Sequence, residues 1–434
     1  MASVILGDWT HRRGDPGGAR AVTAEIDRPR PATVWSWVPE HDGRVDQVRV
    51  AGASIFVATM TPRDPVAPGW EHAVVYALDA ATGAEVARRE LPDPVPVAAM
   101  VIESGCVHVI AARRGEPIYW YGLSSTDLSP AFRRPMTIEG APRPEDVLDA
   151  WATPRGGLWL ELDGPAPSTR SQTFAYAEAG GEHAANRLCR ERGVGDRPPP
   201  AGDACAGGDE LYVPLGGRWA SGEACAPASL RRLDPGQGDL SGRWAEARLV
   251  GPRARVHALS TPGIVVVVGA AEDPQRPERA SVEAFAIDMS SGLLKWRVQD
   301  DRVTLRAALG DVARTACRPN GEILYQGLGA DGTPSTPIVC LGSDGHIDSV
   351  LPGARGRYVL DAALGPLVLA HCENKNGHVE VCGFAIDGEG RLLGRRAVVG
   401  WTIDAGDLGG ATTVYAGAGV VVVRGRRGLR AIRL

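Results

Sequence analysis

What this sequence lacks narrows the field first. No stretch approaches the ~18 consecutive apolar residues of a membrane-spanning helix; the longest apolar run, Ile264–Val268, is flanked by glycines and has the length of a strand. An excess of one charge is missing too. The 47 Lys and Arg stand against 52 Asp and Glu, a formal net charge of −5, so there is no electrostatic case for nucleic acid or an anionic membrane surface. The N-terminus, MASVILGDWTHRRGD, has no basic segment followed by an apolar one, as an export signal would. The compartment expected from the sequence as written is the cytoplasm, or the periplasm or exterior if a leader precedes it. Gly-x-Ser-x-Gly elbows, Walker loops and His-Glu-x-x-His pairs are all absent.

Cysteine is sparse for the length. The 8 cysteines (106, 189, 205, 225, 317, 340, 372 and 382) are an even number that an oxidised protein could pair. They are scattered over a chain too large to need staples, and read as small buried hydrophobes. Cys205 and Cys225 are the pair expected to bond in an oxidising compartment.

What is present is material for turns and strands. Gly (55) and Pro (33) suit many tight turns and few long helices, and a hydrophobic content of 44% is ample for a core. The segment Ser281–Arg297, SVEAFAIDMSSGLLKWR, reads as a strand, a turn and a second strand. Val282, Ala284 and Ala286 alternate with Glu283, Phe285 and Ile287 at a period of two. Met289-Ser290-Ser291-Gly292 then supplies the turn, with Gly292 free to take positive φ.

With FAID (285–288) as the ruler, related strand ends recur at YALD (76–79), YGLS (121–124), FAYA (174–177), RRLD (231–234), VCLG (339–342), FAID (384–387) and RAIR (430–433). A spacing of about 45–55 residues with four extended segments per unit is the sign of a β-propeller. The last unit is one strand short, and VWSWV (34–38) has no unit of its own. Pairing the two predicts a single all-β domain over 1–434: an eight-bladed β-propeller of four-stranded antiparallel blades, closed by the N-terminal strand, with 1–33 as a lead-in. Closure removes exposed sheet edges. Seven blades is the alternative, at the expense of the degenerate third unit.

The repeats VVYALDAATGAEVARR (74–89) and SVEAFAIDMSSGLLKWR (281–297) resemble those of pyrroloquinoline-quinone (PQQ) type β-propellers. GDWTHRRGDPGGAR followed by VWSWV resembles the N-terminal segment of that superfamily. The resemblance covers essentially the whole chain and implies the fold. It leaves activity open, because the superfamily holds quinoprotein dehydrogenases, outer-membrane assembly factors, sensor domains and plain binding modules. Quinoprotein catalysis would require a quinone with calcium, an Asp base and a disulfide between adjacent cysteines. No adjacent Cys pair occurs, and no residue matches the calcium-ligand motif.

The connections divide by face. Third-to-fourth and first-to-second turns are short, whereas second-to-third connections are longer: 61–72, 163–172, 216–227, 270–279 and 327–336. Long loops on a rigid frame carry binding, so the working surface is expected there. Trp70 and Trp219 are the anchors, and Arg63, Asp64, Glu71, Arg218 and Arg276 form the polar rim. The turn acids Asp79, Asp234, Asp288 and Asp387 read as locks on their own turns, and Trp37, Trp244 and Trp296 as packing between blades. His371, Cys372, His378 and Cys382 form the one soft-ligand cluster. Adjacent strand residues point to opposite faces, so no metal site is expected, nor a cofactor. The leading expectation is a non-catalytic scaffold or regulatory subunit that binds another protein. A cofactor-binding quinoprotein-like enzyme and a periplasmic outer-membrane assembly factor are the alternatives.

Overall fold

The computed structural model describes residues 21–22, 33–40, 43–62, 71–93, 95–113, 117–138, 147–162, 173–178, 184–190, 204–215, 229–235, 243–245, 257–261, 263–273, 275–305, 309, 312–318, 321–329, 331–351, 358–364, 367–373, 378–385, 399–404, 408–409 and 413–433. Among these the regular elements are strands. β1 is Ala21–Val22 and β2 Thr33–Trp37. The first meander is β3 (Arg44–Ala51), β4 (Ser54–Pro62), β5 (Glu71–Asp79) and β6 (Glu85–Glu90). The next comprises β7 (Val97–Glu103), β8 (Cys106–Ala111), β9 (Ile118–Ser124) and β10 (Pro130–Ile138). It is followed by β11 (Val147–Ala152), β12 (Leu158–Leu162), β13 (Thr173–Ala177) and β14 (Ala184–Arg190), the unit that a seven-blade reading would discard. Then come β15 (Cys205–Gly207), β16 (Glu210–Leu215), β17 (Ser229–Leu233) and β18 (Arg243–Ala245). The FAID hairpin lies in β19 (His257–Thr261), β20 (Ile264–Asp273), β21 (Arg276–Asp288) and β22 (Leu294–Thr304). After it come β23 (Val312–Cys317), β24 (Ile323–Leu328), β25 (Ile338–Leu341) and β26 (Ile347–Leu351). The following meander is β27 (Val359–Leu364), β28 (Leu367–Glu373), β29 (His378–Ala385) and β30 (Val399–Asp404). The chain ends in β31 (Thr413–Gly417), β32 (Val420–Arg424) and β33 (Leu429–Arg433), and β2 pairs antiparallel with β33 to complete that sheet.

The first strands of successive meanders touch one another, as in β3–β7, β7–β11, β15–β19, β19–β23, β23–β27 and β27–β31, and β31 also touches β3. This is the β-propeller arrangement, with first strands innermost. Both faces of each sheet are therefore covered by neighbours, which explains the unbroken apolar run at 264–268. Val266 and Val268 enter one inter-sheet core with Tyr325 and Val339. Val265 and Val267 enter another with Tyr212 and Leu230. Likewise Ile55 and Val57 pack toward Val421 and Val423, while Phe56 and Ala58 pack toward Val107 and Val109.

Two turns share one hydrogen-bond scheme. At 79–84, Gly83 N–H donates to the Asp79 carbonyl (2.7 Å) and Asp79 N–H to the Ala84 carbonyl (2.8 Å). At 288–293, Gly292 N–H donates to the Asp288 carbonyl and Asp288 N–H to the Leu293 carbonyl, both at 2.9 Å. Gly83 and Gly292 sit at φ of 72° and 70°, a conformation that favours glycine. The acid locks each turn. Thr82 N–H donates to Asp79 Oδ1 at 2.8 Å, and the Ser290 and Ser291 N–H groups to Asp288 Oδ1 at 3.0 and 2.9 Å. Hydrogen bonds to Ser290 and Ser291, with Lys295 nearby, hold the Asp288 carboxyl well below the usual carboxylate range. Asp288→Ala should therefore be less stable than wild type at neutral pH. The contribution is complete above the unfolded value of about 3.9 and is lost as pH falls toward the lower folded value. Denaturation curves of the two proteins should thus converge progressively below pH ~4.

Three features depart from the sequence expectations. The lead-in is not free of strand, because Ala21 and Val22 pair in parallel with Ala363 and Leu364 on the inner edge of β27. The second and third meanders are fused by a parallel pairing of Thr137 and Ile138 with Ala184 and Ala185. And 270–279 is a continued ladder rather than a loop. Glu272 faces Ala280 and Asp273 faces Arg276 across a bulge, which absorbs the proline-rich EDPQRP composition that reads as a loop.

Candidate functional site

Of the residues expected to form a partner-binding rim, Arg63, Asp64, Trp70, Arg218 and Trp219 lie outside the described residues. Glu71 opens β5 opposite Pro62. Arg276 is corrected from loop to strand and is exposed at the start of β21. Its hairpin carries β20 to Asp273 with β21 alongside, and β22 accompanies β21 as far as Arg279, opposite Thr304; Ala270, Ala271 and Ala280 within it are buried. Gln275, Arg276, Pro277 and Glu278 at its tip are exposed, and Asp273 Oδ1 accepts the Gln275 N–H at 2.8 Å to pin the turn.

The expected packing tryptophans Trp37 and Trp296 do contact neighbouring sheets, and Trp35 joins them. Trp296 Nε1 donates to the Ser343 carbonyl of the next sheet at 2.8 Å, and its indole lies against Gly345, whose φ is 90°. In the N-terminal strand the equivalent residue is Trp35, whose Nε1 donates to the Ala80 carbonyl at 2.9 Å. Its ring lies against Gly83, where a Cβ would collide with it. Trp37 meets Tyr76 of the first meander edge-on, with ring centroids 5.1 Å apart. Trp244, in β18, has no described side chain.

The soft-ligand cluster resolves into unrelated contacts. Neighbouring register pairs His371 with Val381 and Cys372 with Glu380, so the histidine and that cysteine face opposite ways. His371 Nδ1 meets both carboxylate oxygens of buried Asp361 at 2.8 Å. Cys382 donates to Glu380 Oε1 at 3.4 Å. Burial pushes its thiol up to about 12, which keeps it a protonated thiol rather than a nucleophilic thiolate. Among the described residues no group of three or more His, Cys, Asp or Glu could hold a metal ion. Cys205 is buried, and Cys225, its suggested partner, lies outside the described residues.

The sequence reading missed the polar residues of the innermost strands. VLDA occurs twice, at 147–150 and 359–362, each time in a first strand and each time at a bulge. Asp149 and Asp361 are both buried, and Asp149 faces buried Glu161 across the ladder. A charged residue breaking an otherwise apolar strand was the available signal. The His371–Asp361 dyad can orient an imidazole, with Nδ1 held and Nε2 turned away from the carboxylate.

No protein-family model and no curated protein matches the chain. Solved structures do. A europium-containing methanol dehydrogenase superposes with a TM-score of 0.51 at 12% identity, over 97% of this chain and 90% of that one. A quinohemoprotein alcohol dehydrogenase from Comamonas testosteroni gives 0.50 at 12% identity, over 98% and 80%. Sqt1 from Chaetomium thermophilum gives 0.50 at 11% identity, over 93% and 98%. The chain thus has a β-propeller fold, as its repeats imply. At these identities the likeness carries fold and not chemistry.

Proposed function

We propose that this chain is a non-catalytic β-propeller that binds another protein, as a scaffold or regulatory subunit of a complex. In this reading the meanders are eight blades, and Thr33–Trp37 closes the last. The observation that carries it is the exposed tip of the β20–β21 hairpin, Gln275 to Glu278. Its backbone is already paired up to Asp273 and Arg276, so little ordering entropy opposes binding through it. It projects on the side of the second-to-third connections, where Trp70 and Trp219 also fall in the sequence. A partner would be anchored by those aromatics, with Arg276, Glu71, Arg63, Asp64 and Arg218 as the charged rim.

Affinity capture of the tagged chain from its native extract, with mass spectrometry, should return one stoichiometric partner. Trp70→Ala with Trp219→Ala should weaken binding by ~2 kcal/mol or more if both are hot spots, and Arg276→Glu should lower it further. Undiminished binding by the double variant would discard this face.

The catalytic alternative rests on the His371–Asp361 dyad, and on neighbours named as dehydrogenases. It requires a chromophore or metal in the purified protein, read by absorbance and metal analysis.

A further inference from the structure

A second site, independent of the partner reading, lies at the opposite end of the strands, where turns of the first two meanders meet. The β3–β4, β7–β8 and β9–β10 turns surround an open cleft of about 600 Å³, a size typical of small-molecule sites, which span ~300–1,000 Å³. Its floor is apolar. Phe56 of β4 and Ile102 of β7 line it from the core between the two sheets, at 1% and 6% exposure. Around them stand the Glu103 carboxylate and the hydroxyl-bearing residues Ser54, Ser125 and Thr126. Backbone bonds hold the turns in place. Ser125 N–H donates to the Gly105 carbonyl and Ala80 N–H to the Ala53 carbonyl, both at 2.9 Å, so the cleft is built before any ligand arrives.

Its charge is one-sided. The turns at this end of the two meanders, 51–54, 79–84, 103–106 and 124–129, hold three acids and no Lys, Arg or His. Asp79 is engaged by Thr82, and Asp127 by Ser129. Glu103 differs from both. The Ser104 hydroxyl donates to its Oε1 at 3.0 Å, and among the described residues no cation pairs with this carboxylate. A concave surface of one sign favours a ligand of the other. An ammonium group brings three N–H donors and no acceptor, which suits one free carboxylate oxygen flanked by hydroxyl oxygens. The planar guanidinium fork wants both carboxylate oxygens at once, and Oε1 is already taken. The apolar floor then accommodates a short aliphatic stem.

We propose that this cleft binds a primary alkylammonium group, with Glu103 as its charge partner and Phe56 and Ile102 beneath its aliphatic stem.

The probe is n-butylamine, protonated at pH 7, titrated into the full chain and followed by ligand-detected NMR, with n-butanol as the uncharged match of the same stem. Butylammonium should bind saturably and more weakly as salt is added, while butanol should bind at least several-fold less well. Glu103→Gln, a neutral substitution at a partly exposed position, should lower butylammonium affinity by ~10-fold or more, as loss of a charged hydrogen-bond partner does. The butanol signal should stay the same in that variant. Ser125→Trp, which fills the cleft, should abolish both signals, and unfolding curves of each variant check that it folds. Nα-acetyl-lysine methylamide distinguishes the source of the amine: tighter binding than butylamine points to a lysine side chain of a protein, equal or weaker binding to a free amine. Equal affinity for butylammonium and butanol would overturn the proposal, as would butylammonium binding unchanged in Glu103→Gln.

Discussion

Trp35→Ala should destabilise the protein by about 3–5 kcal/mol, the range for deleting a buried Trp or Phe side chain. Trp35 is 7% exposed and sits at two junctions. In β2 it pairs with Ala431 of β33, while its indole N–H reaches the Ala80 carbonyl in the first meander. One side chain therefore ties the last sheet to the first. Its removal also loosens β2 from an edge that would otherwise present unpaired backbone groups. Trp35→Phe should recover most of the packing but not the hydrogen bond, leaving a loss nearer 1–2 kcal/mol. Denaturant midpoints of the three proteins, at unchanged slope, provide the measurement. A loss below about 1 kcal/mol in Trp35→Ala would show that the N-terminal strand contributes little to the fold.

Stability should also fall as pH drops from about 6.5 to about 4, through His108. Burial lowers this imidazole to about 4. The Trp120 indole N–H donates to His108 Nδ1 at 3.1 Å, which assigns the ring proton to Nε2. A proton added at Nδ1 would face another donor, so the folded state resists charging while the unfolded chain accepts the proton freely. A folded value below the unfolded one means that the contribution is complete above about 6.5 and is lost on acidification toward about 4. The difference corresponds to on the order of 3 kcal/mol. His108→Gln, which keeps an acceptor for Trp120, should flatten this part of the profile relative to wild type. A wild-type profile already flat between pH 6.5 and 4.5 would contradict the buried neutral assignment.

Local chemistry made much of the architecture legible. Alternation at 282–287, the Asp-x-x-x-Gly turns at 79–83 and 288–292 and their recurrence along the chain depend on neighbours a few residues apart. The orphan strand near 34–38 could be matched to the short last unit by the same reasoning, and it appears at Thr33–Trp37 beside β33. That Asp79 and Asp288 accept their own turn N–H groups also follows from the turn alone.

Other features depend on which distant segments become neighbours. Trp35 and Trp37 share one face of β2, and only the position of the first meander decides that Trp35 meets Ala80 and Gly83 while Trp37 meets Tyr76. Arg276 lies in a stretch whose composition reads as loop, but a bulge lets the ladder continue beside β20. The parallel contacts of β1 with β27 and of β10 with β14 are short additions with no periodic signature.

By itself, then, the sequence determined the repeating strand-and-turn unit of this protein, its turn chemistry and its all-β character, because period-two alternation and turn hydrogen bonds act over a few residues. The meeting of Arg424 with the Tyr415 hydroxyl and with the Val45 carbonyl of β3 was decided only by the tertiary structure. Electrostatics acts through space, and residues hundreds of positions apart in the chain become neighbours only when the sheets assemble.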